Sequence, residues 1–203
     1  MEEAAGAAEA GAHRLELCVG LETGGITPPV ELLRAVKAEV GIPVFTMARL
    51  RPGAFAFTPM EVADTLRQIA ALAAAGADGV VVGFLDGEGR VDMASTAQAV
   101  RAAGSLPVTF HRAFDETLDL LSTLHTLAGV GVARVLTGGG PGAARDHADA
   151  LAALVRASTA VEVLVGGRVR GDHVRHLVAY TGAREVHARA EGVVGVCRAL
   201  AEG

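Results

Sequence analysis

Val108-Thr109-Phe110-His111-Arg112-Ala113-Phe114-Asp115 is an alternating run that ends in charge. Successive side chains of a strand point to opposite faces, so Val108 and Phe110 share one face while Thr109 and His111 share the other. Strands of a parallel sheet are usually apolar on both faces, because both are covered. A buried strand that still carries Thr and His on one side suits a parallel barrel. Its apolar face packs beneath helices and its polar face looks inward. Its C-terminal end then opens on the mouth, where such folds keep their sites.

Working outward, similar β-rich runs occur at residues 13–18, 43–49, 79–85, 106–112, 133–137, 161–166 and 185–189. Ala- and Leu-rich helical stretches fill the intervals, giving one strand-plus-helix unit about every 30 residues. This alternation predicts an α/β fold with a parallel sheet. Thr58-Pro59, with Glu61 completing a capping box, marks one helix start, and Thr27-Pro28 marks another. Gly11, Gly76, Gly131 and Gly182 stand where a helix hands over to a strand, which favours a left-handed glycine. Seven strands are recognisable, and residues 1–203 read as one domain. An ordinary barrel has eight strands, and residues 1–12 read as a helix with no strand before it. Either the start is truncated or the barrel has a gap beside strand 13–18. A gap would expose sheet edges that a second copy could cover, so a homodimer or higher oligomer is expected.

The bulk composition removes whole classes of function. With 203 residues and 51% apolar side chains, the chain can bury a large core and is not disordered. No apolar run reaches the length of a membrane span, and the first residues are acidic and Ala-rich rather than basic, so neither a membrane anchor nor a secretory signal is expected. A net charge of −5 argues against a nucleic-acid surface. Cys18 and Cys197 lie far apart with no CxxC spacing, which suits a reducing cytoplasm and no disulfide.

The alternation also places charge. Leu15 and Leu17 oppose Arg14, Glu16 and Cys18; Val186 and Ala188 oppose Glu185, His187 and Arg189. Buried charges need partners, so an interior holding Arg14, Glu16, His111, Glu185 and His187 is either a salt-bridge network or a site. Arg14 and Glu185, at strand starts, fit the network. Cys18, Arg49, His111 and His187, at strand ends, fit the site.

In order along the chain, seven segments resemble the CutC family, which is associated with copper homeostasis. They are Arg14-Leu15-Glu16-Leu17-Cys18, Gly24-Gly25-Ile26-Thr27-Pro28, Met47-Ala48-Arg49-Leu50-Arg51-Pro52-Gly53, Gly76-Ala77-Asp78-Gly79-Val80-Val81-Val82-Gly83, Thr109-Phe110-His111-Arg112-Ala113-Phe114-Asp115, Leu136-Thr137-Gly138-Gly139 and Val186-His187-Ala188. The resemblance implies a barrel of the triosephosphate-isomerase (TIM) type, a cytoplasmic location and an oligomer. The chain departs from the family pattern in four places. It lacks an opening strand; Pro52 and Ala54 alter the loop after Met47; Arg168 replaces a glycine; and Arg189 replaces a serine.

Two site chemistries follow. Copper(I) favours thiolate and thioether donors. Cys18 matches the family position linked to copper, and Met47 is its nearest soft partner in the pattern, with His111 and His187 after it. No HxxxH or CxxC spacing occurs, and Cys197 reads as a packing residue. The alternative is an enzyme acting on a small anionic or phosphorylated metabolite. Glycine turns at Gly138-Gly139-Gly140 and Gly166-Gly167 would let backbone N–H groups reach the anion. Thr137, Gly139, Gly167, Arg49, Arg51, Arg112 and Arg168 are its candidate ligands, and His111, Glu16 and His187 its candidate catalytic residues. His111 would act as acid or base, oriented by Glu16 or Asp115. Arg112 shares the parity of Phe110, so it could instead turn outward to pair with Asp115, and Asp115 could simply cap the next helix. A pure scaffold would account for a gap and an oligomer but not for an inward-facing His.

Overall fold

The computed structural model describes residues 1–202. Seven strands form one sheet in the order β1 to β7, every neighbouring pair parallel. They are β1 (Leu15–Leu17), β2 (Val44–Met47), β3 (Gly79–Val82), β4 (Val108–Phe110), β5 (Arg134–Thr137), β6 (Glu162–Val165) and β7 (Glu185–Val186). The helices are α1 (Glu2–Glu9), α2 (Val30–Glu39), α3 (Pro59–Ala74), α4 (Met93–Ala103), α5 (Leu120–Ala128), α6 (Ala148–Ala157), α7 (Val174–Thr181) and α8 (Ala190–Ala201). The sheet curls into a TIM-type barrel of seven strands. Among the described residues β1 and β7 share no backbone ladder, so the gap falls beside β1.

The alternation places the side chains as the sequence requires. Val108 and Phe110 pack into the apolar shell between sheet and helices, as do Leu15, Leu17, Val186 and Ala188. Thr109 and His111 are buried on the inner face. The Thr58–Glu61 capping box forms with Pro59 at the first helical position. Gly11, Gly76, Gly131 and Gly182 all adopt positive φ. Behind the first three, Ala12, Ala77 and Val132 donate back to Ala7, Leu72 and Leu127, the six-to-one bond of a Schellman end.

One expected cap is corrected. Thr27 does not start a helix: α2 begins at Val30 with Pro29 at its N-cap. The Thr27 hydroxyl instead donates to Gln68 Oε1 (2.7 Å) and accepts from the Arg49 N–H (3.0 Å). It stitches the loop after β1 to the loop after β2.

Candidate ligand site at the barrel mouth

The floor of the barrel is charged. Glu185 on β7 accepts from Arg14 (2.7 Å) and from Arg134 on β5 (2.6 and 3.1 Å). Both guanidiniums lie over the Phe45 ring, at 5.0 and 5.5 Å. Gly79 makes room for that ring, since a Cβ there would lie 2.6 Å from it. Arg14 directly precedes β1, so its ion pair with Glu185 spans the gap where no backbone ladder exists. One level higher, Glu16 Oε2 lies 3.3 Å from His187 Nδ1. Burial pushes the Glu16 carboxyl up, but His187, Arg14 and Arg134 outweigh it and hold it below the ordinary carboxylate value. Glu16 Oε1 has no hydrogen-bond partner among the described residues.

The mouth is built from strand ends. Val19 and Ile26 exchange backbone hydrogen bonds of 3.1 and 2.8 Å, which folds the loop after β1 back over its own strand. Gly25, with φ +85°, then meets Cys18: a Cβ at Gly25 would lie 3.0 Å from Cys18 Sγ and 3.6 Å from Met47 Cε. The Cys18 thiol and the terminal methyl of Met47 therefore both border Gly25. Burial pushes the Cys18 thiol up, Glu16 adds to this, and Arg189 opposes it.

His111 follows β4. Its Nδ1 accepts from the Ala113 N–H (3.1 Å), which starts a 3-10 turn over Arg112–Glu116. This assigns the ring proton to Nε2. Burial, reinforced by the Arg49 charge, holds the imidazole down to about 3. The ring is therefore a neutral N–H donor near pH 7. Phe55 packs 4.8 Å from it, and the Arg49 guanidinium lies 4.7 Å from the centroid of the same Phe55 ring. Arg49 is buried and holds the mouth loops together by donating to the carbonyls of Thr23, Gly25 and Gly53.

The remaining candidates divide. Arg112 pairs with Asp115 (2.7 Å) and donates to the carbonyls of Gly140 and Gly142. Asp115 is no helix cap; it accepts from the Thr137 hydroxyl and the Gly138 N–H, while Asp119 caps α5. The Gly139 N–H is committed to Thr137 (2.9 Å). Arg51 is bound to Glu61 and to the carbonyls of Ala54 and Ala56, outside the cavity lining. Arg168 is at the mouth, in the left-handed region at φ 55°. Gly167 lies beside it, its carbonyl accepting from Ala144. Cys197, on α8, sits against Gly11.

Cys18, Met47, Arg49, His111, His187 and Arg168 line one cavity of about 2200 Å³, which runs from the mouth into the gap between β1 and β7. Among the described residues no three His, Cys, Asp or Glu side chains cluster as a metal site. Nor does any helix reach the length and apolarity needed to cross a membrane. Sequence reasoning passed over Arg134, Phe45, Phe55 and Gly83. A charge at the second position of the run 133–137, just before Val135 and Leu136, was the available signal for Arg134. Gly83 had none: a Cβ there would meet the His111 ring, which follows the next strand, so the glycine leaves that ring its space.

The CutC family model matches residues 1–192. A CutC family protein of Xylella fastidiosa (strain Temecula1) is 42% identical over 193 residues, covering 95% of this chain and 72% of the relative. The crystal structure of a CutC from Streptococcus agalactiae, assigned by name to copper homeostasis, superposes with a TM-score of 0.82 at 28% identity, covering 86% of this chain and 87% of that one. An aldolase, QR15, superposes at 0.73 with 9% identity over 99% of this chain and 87% of its own, a likeness of fold alone. The family match over nearly the whole chain and the seven-stranded barrel agree: this chain belongs to the CutC family.

Proposed function

We propose that the protein serves copper homeostasis in the cytoplasm by holding Cu(I) as cargo between the Cys18 thiolate and the Met47 thioether. One observation carries this reading: both side chains close on Gly25, where a Cβ would meet Sγ at 3.0 Å and Cε at 3.6 Å. Thiolate and thioether are the donors that Cu(I) prefers, and two of them satisfy its low coordination number. The copper homeostasis assignment of the S. agalactiae relative points the same way. Thiolate ligation displaces a proton. Because the Cys18 thiol is raised, affinity should climb with pH, about tenfold per unit while the thiol is still protonated. The protein is also proposed to be a homodimer or higher oligomer. The exposed Met1, Val194 and Leu200 beside the gap support this, and light scattering reads it directly.

The test is a Cu(I) titration against a competing chelator under reducing conditions. One equivalent should bind to the wild type and to Cys197→Ala. Binding should fall at least tenfold in Met47→Leu and disappear in Cys18→Ser. Full uptake by Cys18→Ser would overturn the assignment.

A further inference from the structure

Among the described residues, six buried polar side-chain atoms lack a hydrogen-bond partner, and three of them belong to residues that line the cavity: Glu16 Oε1, Arg49 Nε and His111 Nε2. Native interiors leave few such atoms unpaired, and several gathered around one cavity is the pattern of a site prepared for a ligand. In the curled sheet β4 lies three strands from β1, which sets His111 and Glu16 on facing walls. His111, after β4, offers a neutral N–H donor, and Arg49, after β2, a charged one; the two side chains meet on the Phe55 ring. Glu16, on β1, offers a carboxylate oxygen.

We propose that the barrel interior binds a small polyhydroxycarboxylate, with its carboxylate on His111 and Arg49 and a hydroxyl donating to Glu16. The donor pattern selects this class. Two N–H groups that meet at Phe55 call for an acceptor, and a carboxylate is the acceptor that gains most beside a buried guanidinium. The far end of the ligand must donate. A hydroxyl suits it better than an ammonium, because Glu16 already has His187, Arg14 and Arg134 around it. The glycine turns after β5 do not favour phosphate. The Gly138 and Gly139 amides are committed to Asp115 and Thr137, and Arg112 is tied to Asp115.

Phe55 controls access. Its ring lies 4.8 Å from that of His111 and beneath the Arg49 guanidinium. The N–H groups that the ligand would use are thus covered until that side chain turns aside. The Phe55 carbonyl accepts from the Leu85 N–H (3.0 Å), which anchors the backbone while the side chain moves.

Calorimetry with D-gluconate tests the proposal, with hexanoate, D-glucitol and inorganic phosphate as comparisons. Gluconate should bind saturably to the wild type or to Phe55→Ala, and Phe55→Ala should bind it more tightly. Hexanoate, which lacks the hydroxyls, and glucitol, which lacks the carboxylate, should each bind at least tenfold more weakly. The His111 Nε2 nitrogen signal should shift on gluconate addition, and folded His111→Phe should lose at least tenfold in affinity. Cys18→Ser should bind gluconate unchanged, which separates this site from the copper reading. Four results would overturn it: no gluconate binding to either protein, equal affinity for hexanoate or glucitol, competition by phosphate at equal affinity, or undiminished binding to His111→Phe.

Discussion

Replacing Glu185 by Gln should destabilise the protein by about 3 kcal/mol. The carboxylate receives three hydrogen bonds of 2.6 to 3.1 Å from Arg14 and Arg134. Its side chain is 29% exposed, and those of Arg14 and Arg134 only 19% and 13%. Removing one partner of a buried ion pair costs roughly 3–5 kcal/mol, because the other charge is left uncompensated. Here two like charges would remain, both over the Phe45 ring. The partial exposure of Glu185 puts the expectation at the lower end. For a domain of this length that is a fall in Tm of about 6–12 °C. The comparison is Glu191→Gln, which breaks the exposed pair with Arg170 and should cost less than about 1 kcal/mol. Urea denaturation of both variants reads the difference. If Glu185→Gln costs no more than Glu191→Gln, ion pairs do not hold the barrel closed across the gap.

Three further outcomes follow from the site. In Gly83→Ala the new methyl would lie 2.1 Å from His111 Cε1, costing about 2–3 kcal/mol; adding His111→Ala should restore most of it, and a double-mutant cycle by chemical denaturation reads the coupling. His111 titrates at about 3 in the fold against about 6.5 unfolded. Between those values the unfolded chain binds the extra proton, so stability falls as pH falls, by about 1.4 kcal/mol per unit from this group. His111→Phe should lack that component in urea melts from pH 7 to pH 4. Arg168→Gly removes a left-handed arginine and should stabilise by up to about 1 kcal/mol, read as a higher Tm.

Much of this was legible because strand parity and helix punctuation are local. Alternation alone sorted Thr109 and His111 from Val108 and Phe110, and four helix-ending glycines announced their backbone. The Arg14–Glu185 contact followed from both residues starting strands. Legibility ended where a partner comes from elsewhere in the chain. Thr27 looks like a cap in sequence, yet its hydroxyl is taken by Arg49 and Gln68. Arg51 looked available to an anion, but it meets Glu61 and carbonyls supplied by loop folding; for Arg112 the parity of the run already offered the Asp115 pairing that forms, but not the Gly140 and Gly142 carbonyls. Arg134 completes the floor only because β5 and β7 curl toward each other. Phe55 over His111 depends on the path of a loop that no local periodicity records.

The convergence of Cys18 and Met47 is tested most directly by X-ray absorption at the copper edge of the Cu(I)-loaded protein. A first shell of sulfur that loses one scatterer in Met47→Leu and collapses in Cys18→Ser is the expected result. A shell of nitrogen and oxygen, or a sulfur shell unchanged by Cys18→Ser, would contradict it.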